Sequence, residues 1–272
     1  MGALKRLLIL GLVFLILVSS SACMQREPTP KAIIEEIEDT DKYMYSLNYT
    51  VVGSSGTSMV HYQGGFNYDR EEAFWELAVI EESGDIFYSN LTILGDFMYF
   101  SYAWERNNKI VEKGKVNMTV QEYFRELRNG LTYINIKSPE ELKYEILKGS
   151  NLARNPLYYI RDILQNATNF ETAEGDGVYL VVFNFSKTYE SLMPENITQQ
   201  LRDYFETIRH VRIINGTAWL WIKDNLPIKG KVEGVEIFRL LIENATLTKK
   251  FSARFEITCD YKRPEWIREV IE

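Results

Sequence analysis

The stretch from Thr246 to Tyr261 alternates without interruption. Phe251, Ala253, Phe255, Ile257, Cys259 and Tyr261 fall on one side, and Ser252, Arg254, Glu256, Thr258 and Asp260 on the other. Period two over such a length marks a strand with one buried face. At about 3.3 Å per residue the strand spans on the order of 50 Å, far past the usual length. A strand this long does not fit a compact sandwich; it calls for a highly curved sheet or an open barrel. The same alternation puts Cys259 on the apolar face, where a free thiol behaves as a small buried hydrophobe.

Other segments agree. In "YMYSLNYTVV" the apolar face is Tyr43, Tyr45, Leu47, Tyr49 and Val51, with Met44, Ser46, Asn48 and Thr50 opposite. "GSSGTS" reads as a hairpin loop, and strands are expected at 58–68, 72–80, 85–94 and 97–104. Loops this short exclude parallel crossovers, so the run is an antiparallel meander. The pattern changes at Asn117: "MTVQEYFREL" spaces Val120, Tyr123, Phe124 and Leu127 as a helix. "SPEELKYEILKG" offers Ser138 as N-cap, Pro139 in the first turn and Gly149 as a stop, and a third helix is expected near Leu157–Asn166. The strand "VYLVVFNF" follows an "EGDG" turn. A further amphipathic helix, "MPENITQQLRDYFETIRH", carries Ile197, Leu201, Phe205 and Ile208 and is closed by His210. "GTAWLWIK", the tight turn "DNLPIKG" and "KVEGVEI" lead into the long last strand.

The first 22 residues read as a signal peptide. Lys5 and Arg6 precede an apolar run from Leu7 to Val18, too short for a spanning helix of about 20 residues, and small residues Ser19 to Ala22 follow. "SSAC" resembles the lipobox of exported lipoproteins, which makes Cys23 the site of lipid attachment. Ser20-x-Ala22 also suits an ordinary signal peptidase; the product is then a soluble secreted protein with Cys23 free or paired to Cys259. A cysteine directly after the cut, in a chain with only two, favours the lipid. Residues 23–30, with "MQREPTP", form a lipidated N-terminus and linker, and Pro30 opens a helix bearing Ile33, Ile34 and Ile37. Residues 31–272 form one domain.

Eight sequons, at Asn48, Asn90, Asn117, Asn166, Asn184, Asn196, Asn215 and Asn244, point to a glycosylated outer surface. Sequons beside a lipobox fit an archaeal surface lipoprotein, anchored to the outer face of the cell membrane. High Glu, Lys and Ile with two His hints at a thermophile. The net charge of −7 becomes −9 when Lys5 and Arg6 leave with the leader, which disfavours nucleic acid as a partner.

The order of lipobox, linker, helix, long meander, helical middle, "WLWIKDNLPIKGKVEG" and a closing strand ending "DYKRPEW" resembles the LolA/LppX/LprG-like superfamily of exported lipid-carrying proteins. The resemblance rests on the strand pair turned by Asp224, Leu226 and Pro227 and on the aromatic-ended last strand at Tyr261 and Pro264. It implies an α+β fold, a strongly curved antiparallel β half-barrel of about ten strands with helices packed on its open side. Between sheet and helices it implies a hydrophobic cavity for acyl chains, with no catalytic site. The inward face expected to line that cavity is Tyr45, Tyr49, Trp219, Trp221, Phe251 and Phe255, lidded by Leu201 and Phe205. The alternative is the same fold with a filled core, a non-catalytic surface scaffold or accessory subunit of an envelope complex; a continuous apolar patch on the outer face would favour it. The outward residues are read as mostly polar.

Signs of an enzyme are few. His61 and His210 have no metal-binding companions at ligand spacing, and neither a Gly-x-Ser-x-Gly elbow nor a phosphate-binding Gly-x-x-x-x-Gly-Lys loop occurs. Glu71-Glu72, Glu81-Glu82 and Glu140-Glu141 sit at turns or helix starts. The expectation is a membrane-anchored, non-enzymatic binder of a lipid or other hydrophobic ligand, with no cofactor and no metal.

Overall fold

A computed structural model of the protein describes residues 27–53, 56–130, 136–190, 210–240 and 245–271. Its strands form two meanders. The first runs through β1 (Lys42–Gly53), β2 (Gly56–Asn67), β3 (Glu72–Ile80), β4 (Ile86–Leu94), β5 (Phe97–Arg106) and β6 (Lys109–Thr119). The second runs through β7 (Ala167–Gly175), β8 (Val178–Glu190), β9 (His210–Lys223), β10 (Leu226–Leu240) and β11 (Ala245–Thr258). Antiparallel pairing of β1 with β11 joins them into one sheet of eleven strands, in the order β6-β5-β4-β3-β2-β1-β11-β10-β9-β8-β7. The sheet is not closed; β6 and β7 are its two edges.

Nine of these eleven strands are read from the sequence, where the resemblance implies about ten; the other two, β6 and β7, hide from a periodicity reading. β6 is exposed along nearly its whole length, and β7 is polar on both faces, so neither alternates. Asn117 therefore lies in β6 and not at the start of a helix. Three of the hairpins turn on Asn107-Asn108, Asp176-Gly177 and Asp224-Asn225, each pair with positive φ at both residues. That is the turn geometry whose twist matches the flanking strands. Pro227 sits where the β9–β10 register shifts, a place where a missing N–H is tolerated.

The inner face carries a set of glycines, each opposite an aromatic ring, an arrangement that lets a sheet bend. Tyr45 faces Gly64, Tyr102 faces Gly114, Phe185 faces Gly216, Phe255 faces Gly230 and Phe251 faces Gly234. A Cβ on Gly230 would stand 2.1 Å from the Phe255 ring, and one on Gly64 would stand 2.5 Å from the Tyr45 ring. Emptying one position in each pair lets the ring fold over its neighbour, and the crowded inner face can shorten relative to the outer one.

Among the described residues, four helices cover the inner face. Thr29 and Pro30 open α1 (Pro30–Glu38), and Ser138 and Pro139 open α3 (Pro139–Lys148), where Ser138 Oγ accepts from Glu141 N at 3.2 Å. α2 (Val120–Gly130) leaves β6 directly, and Asn155 caps α4 (Pro156–Leu164). α1 packs on α4, over β10 and β8; α2 packs on α3, beside β6. A fifth helix, α5 (Glu265–Ile271), lies on the outer face, where Trp266 Nε1 donates to Glu76 Oε1 at 2.6 Å.

Two corrections concern ends of elements. His210 opens β9 and does not close a helix. The long strand stops at Thr258, where Asp260 N donates to Thr258 Oγ1 at 3.3 Å and the chain turns; Cys259 is consequently exposed, not buried in the core. The leader with Cys23, most of the helix expected at 193–210 with Leu201 and Phe205, and the sequons Asn196 and Asn244 lie outside the described residues.

Candidate functional site

The inner face divides into a filled half and a hollow half. Over β8–β11 and β1, Val181, Phe183, Leu220, Val232, Phe255 and Leu47 are all essentially buried, and α1 and α4 add Ile33, Ile37, Ile160 and Ile163. Over β3–β6 a cavity of about 570 Å³ remains between the sheet and α2, α3 and the α3–α4 loop. That size suits a small apolar ligand. Its deepest lining, Trp75, Met98 and Leu142, is buried; Leu91, Phe100, Met118 and Ile146 are half-buried, and Val116 is exposed. Beyond the cavity the inner face continues apolar through Tyr62, Leu77, Val79, Phe87, Tyr102 and Trp104, all half-buried, to the hairpin tips.

Among the described residues the polar lining comes from one segment, Glu145, Ser150, Asn151 and Arg154. Hydrogen bonds hold this segment away from the sheet at a fixed height. Trp75 Nε1 donates to the Arg154 carbonyl at 2.7 Å, and Tyr45 OH reaches the carbonyls of Ala153 and Arg154 at 2.8 and 2.9 Å. Asn151 Oδ1 accepts from the backbone N–H groups of Ala153 and Arg154 at 3.0 and 3.1 Å. Asn155, buried, accepts from Tyr43 OH at 2.7 Å and from Tyr158 N at 3.2 Å, and donates to the Leu147 carbonyl at 2.8 Å. Burial pushes the Tyr43 and Tyr45 phenols well above their ordinary range, so both remain hydroxyl donors.

The six described cavity candidates are placed as follows. Tyr45, Tyr49, Phe251 and Phe255 do share the inner face, in register as Tyr45↔Ile257, Leu47↔Phe255, Tyr49↔Ala253 and Val51↔Phe251. They belong to the filled half and are not in the lining of this cavity; Tyr45 instead pins the loop that borders it. Trp219 and Trp221 are on the outer face. Ile214, Ala218, Leu220 and Ile222 are the buried residues described in β9, and Lys231 and Lys229 lie over the two indoles at 4.9 and 5.7 Å. Bulk misleads here, because "AWLWI" is apolar on both faces. The parity of the neighbouring polar residues Asn215 and Thr217 gives the correct answer. The real lining on β4–β6 was missed because β6 itself did not alternate.

A second cleft, beside α3, is lined by Glu71, Asp96 and Lys143 among others, and is satisfied internally. Lys143 Nζ bonds Glu71 Oε2 at 2.5 Å and Asp96 Oδ1 at 3.2 Å.

The outer face holds the strand-borne sequons. Asn48, Asn90, Asn117, Asn184 and Asn215 all have outward parity; Asn90 is half-buried and the other four are exposed. Asn166, exposed, precedes β7. The outer face is less polar than expected, however. Met59 and Ile80 are direct cross-strand neighbours and exposed, with Tyr88 and Val52 exposed nearby.

No protein-family model matches the chain, and no curated protein matches it. Solved structures with similar stretches include a β-barrel-like protein of the DUF1849 family from Brucella abortus, at 8% identity and TM-score 0.24, covering 81% of this chain and 99% of that one. An outer membrane lipoprotein-sorting protein domain from Vibrio parahaemolyticus matches at 8% identity and TM-score 0.27, over 88% and 96%. A DUF1329 family protein from Desulfovibrio piger matches at 6% identity and TM-score 0.21, over 88% and 96%.

Proposed function

We propose that this protein is an exported, non-catalytic carrier that holds the apolar part of a lipid or other hydrophobic ligand in the cavity between β3–β6 and helices α2 and α3. The observation that carries this reading is the contrast within one inner face, packed on one side and hollow on the other. An apolar chain entering the hollow gains about 0.8 kcal/mol for each CH2 it buries. On this reading the leader supplies the address and Cys23 the anchor, and the domain sits outside the membrane with its sequon-bearing outer face in solvent.

Native mass spectrometry of protein purified without detergent tests it. Bound species with lipid masses are expected for the native chain. They should be lost in Met98→Trp, which fills the cavity floor, and kept in Trp221→Ala, on the far face. Repeatedly ligand-free spectra of the native chain would sink the proposal. A docking scaffold is the second reading, favoured by the exposed Met59, Ile80 and Tyr88 patch. It predicts that Ile80→Asp abolishes a partner interaction while lipid content is unchanged.

A further inference from the structure

The cavity has charged residues in its lining, and they are of opposite sign. Among the described lining residues these are Glu145 and Arg154, both exposed to solvent and so at the open side. Neither makes an ion pair with a described residue, whereas half-buried cations elsewhere on the helices and sheet do. Lys143 pairs with Glu71 and Asp96, Arg161 with Glu38 and Asp162, and Lys187 with Asp162. Two opposite charges at one opening, with no ion pair to each other or to another described residue, call for a ligand group that answers both.

Their placement is prepared in advance. Arg154 stands on a backbone tied at its N–H by Asn151 and at its carbonyl by Trp75 and Tyr45. Its guanidinium lies over the inner face, close enough to the Tyr45 and Tyr62 phenols to act against the burial that raises both. Glu145 folds back on the cavity-lining Gly149, with Oε2 3.1 Å from where a Cβ on that glycine would stand. A carboxylate in the last turn of α3 opposes the helix dipole, so its position is not one that helix stability selects. A bare anion at Arg154 would meet the Glu145 carboxylate, and a bare cation at Glu145 would meet Arg154. A head carrying both signs meets neither obstacle.

We infer that the cavity selects amphiphiles with a zwitterionic head, the acid group on Arg154 and the cationic group on Glu145, above an acyl chain on Trp75, Met98 and Leu142. This rests on the reading of the cavity as a ligand site, and the test separates the two. Three single-chain probes of one acyl length are titrated below their micellar concentrations: a lysophosphatidylethanolamine, a lysophosphatidic acid and a monoacylglycerol. The zwitterion should bind roughly tenfold more tightly than the neutral probe, the sum of two partly exposed charge contacts. Arg154→Gln should remove most of that preference, and Glu145→Gln should shift it toward the anion; both changes are at exposed positions and leave the fold intact by circular dichroism. Equal affinity for all three probes, unchanged in both variants, would overturn the head selection while the cavity reading stands. Tightest binding of the anion with no effect of Glu145→Gln would overturn it as well. Failure of every probe to bind would overturn the cavity reading itself.

Discussion

Adding a single methyl at Gly230 should reveal whether glycine–ring pairs set the curvature. The Cβ of Gly230→Ala would lie 2.1, 2.6 and 2.8 Å from three carbons of the Phe255 ring, distances that real contacts do not reach. The backbone itself poses no obstacle, because Gly230 is not among the positive-φ glycines. Two effects therefore compete. Replacing a strand glycine lowers the entropy cost of folding by about 0.5–1 kcal/mol, and overpacking costs about 1–3 kcal/mol. The net expectation is a loss of about 1–2 kcal/mol. In a Phe255→Ala background the clash is gone, and the same Gly230→Ala change should be neutral or stabilising by up to about 1 kcal/mol. Phe255→Ala alone costs about 3–5 kcal/mol; Phe255→Leu supplies a second background should that variant unfold. Urea midpoints at constant m-value measure all four corners of the cycle. A coupling of about 2 kcal/mol is expected. Additivity within about 0.5 kcal/mol would refute the argument, because the ring and the glycine would then be independent.

Three further outcomes follow from the packing. Arg263 Nη2 donates to Glu72, which is 8% exposed, and anchors the segment leading to α5 on the outer face; Arg263→Ala should cost about 2 kcal/mol in urea unfolding, partly recovered by Glu72→Gln. Asp162 is raised by burial, but hydrogen bonds from Lys187 and Arg161 outweigh this and leave its carboxyl below the usual range. A depressed folded value contributes stability above the unfolded carboxylate value, near 4, and loses it as pH falls through the folded one; the gap in urea midpoint between the native chain and Asp162→Asn should close on acidification, and a gap constant from pH 7 to pH 2 would count against the pairing. Cys259 should be alkylated in the folded protein, slowly at neutral pH and faster above pH 9, since burial and the Glu36 carboxylate raise its thiol; labelling only after denaturation, followed by intact mass, would restore the buried thiol.

Period two carried the strands it could reach. Tyr43 to Val51 and Phe251 to Ile257 were readable because each has one wet face and one dry face, and the register confirms that they share the dry one. The helices α1, α3 and α4 were readable from Pro30, Ser138-Pro139 and the spacing after Leu157, since caps and prolines act locally. Failures came where a residue's setting depends on a distant partner. The edge strands β6 and β7 each have one neighbour and little burial, so no face is dry enough to pattern. Trp219 and Trp221 are large and apolar yet sit outside, because Lys231 and Lys229 on the adjacent strand cover their rings. The cavity was unreadable for the same reason. Leu91, Met98, Phe100 and Val116 look like ordinary core, and only the absence of atoms above them distinguishes them.

That absence has a physical cause in the filled half of the fold. An apolar wall left half-covered costs about 25 cal/mol for each Å² still wetted, so the loop from Gly149 to Asn155 would gain by settling onto it. Settling requires the carbonyls of Ala153 and Arg154 to leave Tyr45 OH and Trp75 Nε1, and Asn155 to leave Tyr43 OH and the Leu147 carbonyl. Tyr43, Tyr45 and Trp75 are themselves 4% exposed or less, and a donor or acceptor stranded at such depth costs about 1–3 kcal/mol apiece. Several such penalties exceed the gain from covering a few side chains. Tyr45, one of the residues expected to touch a ligand, thus serves the cavity from behind: its ring fills the space over Gly64 in the packed half, and its hydroxyl keeps the other half open.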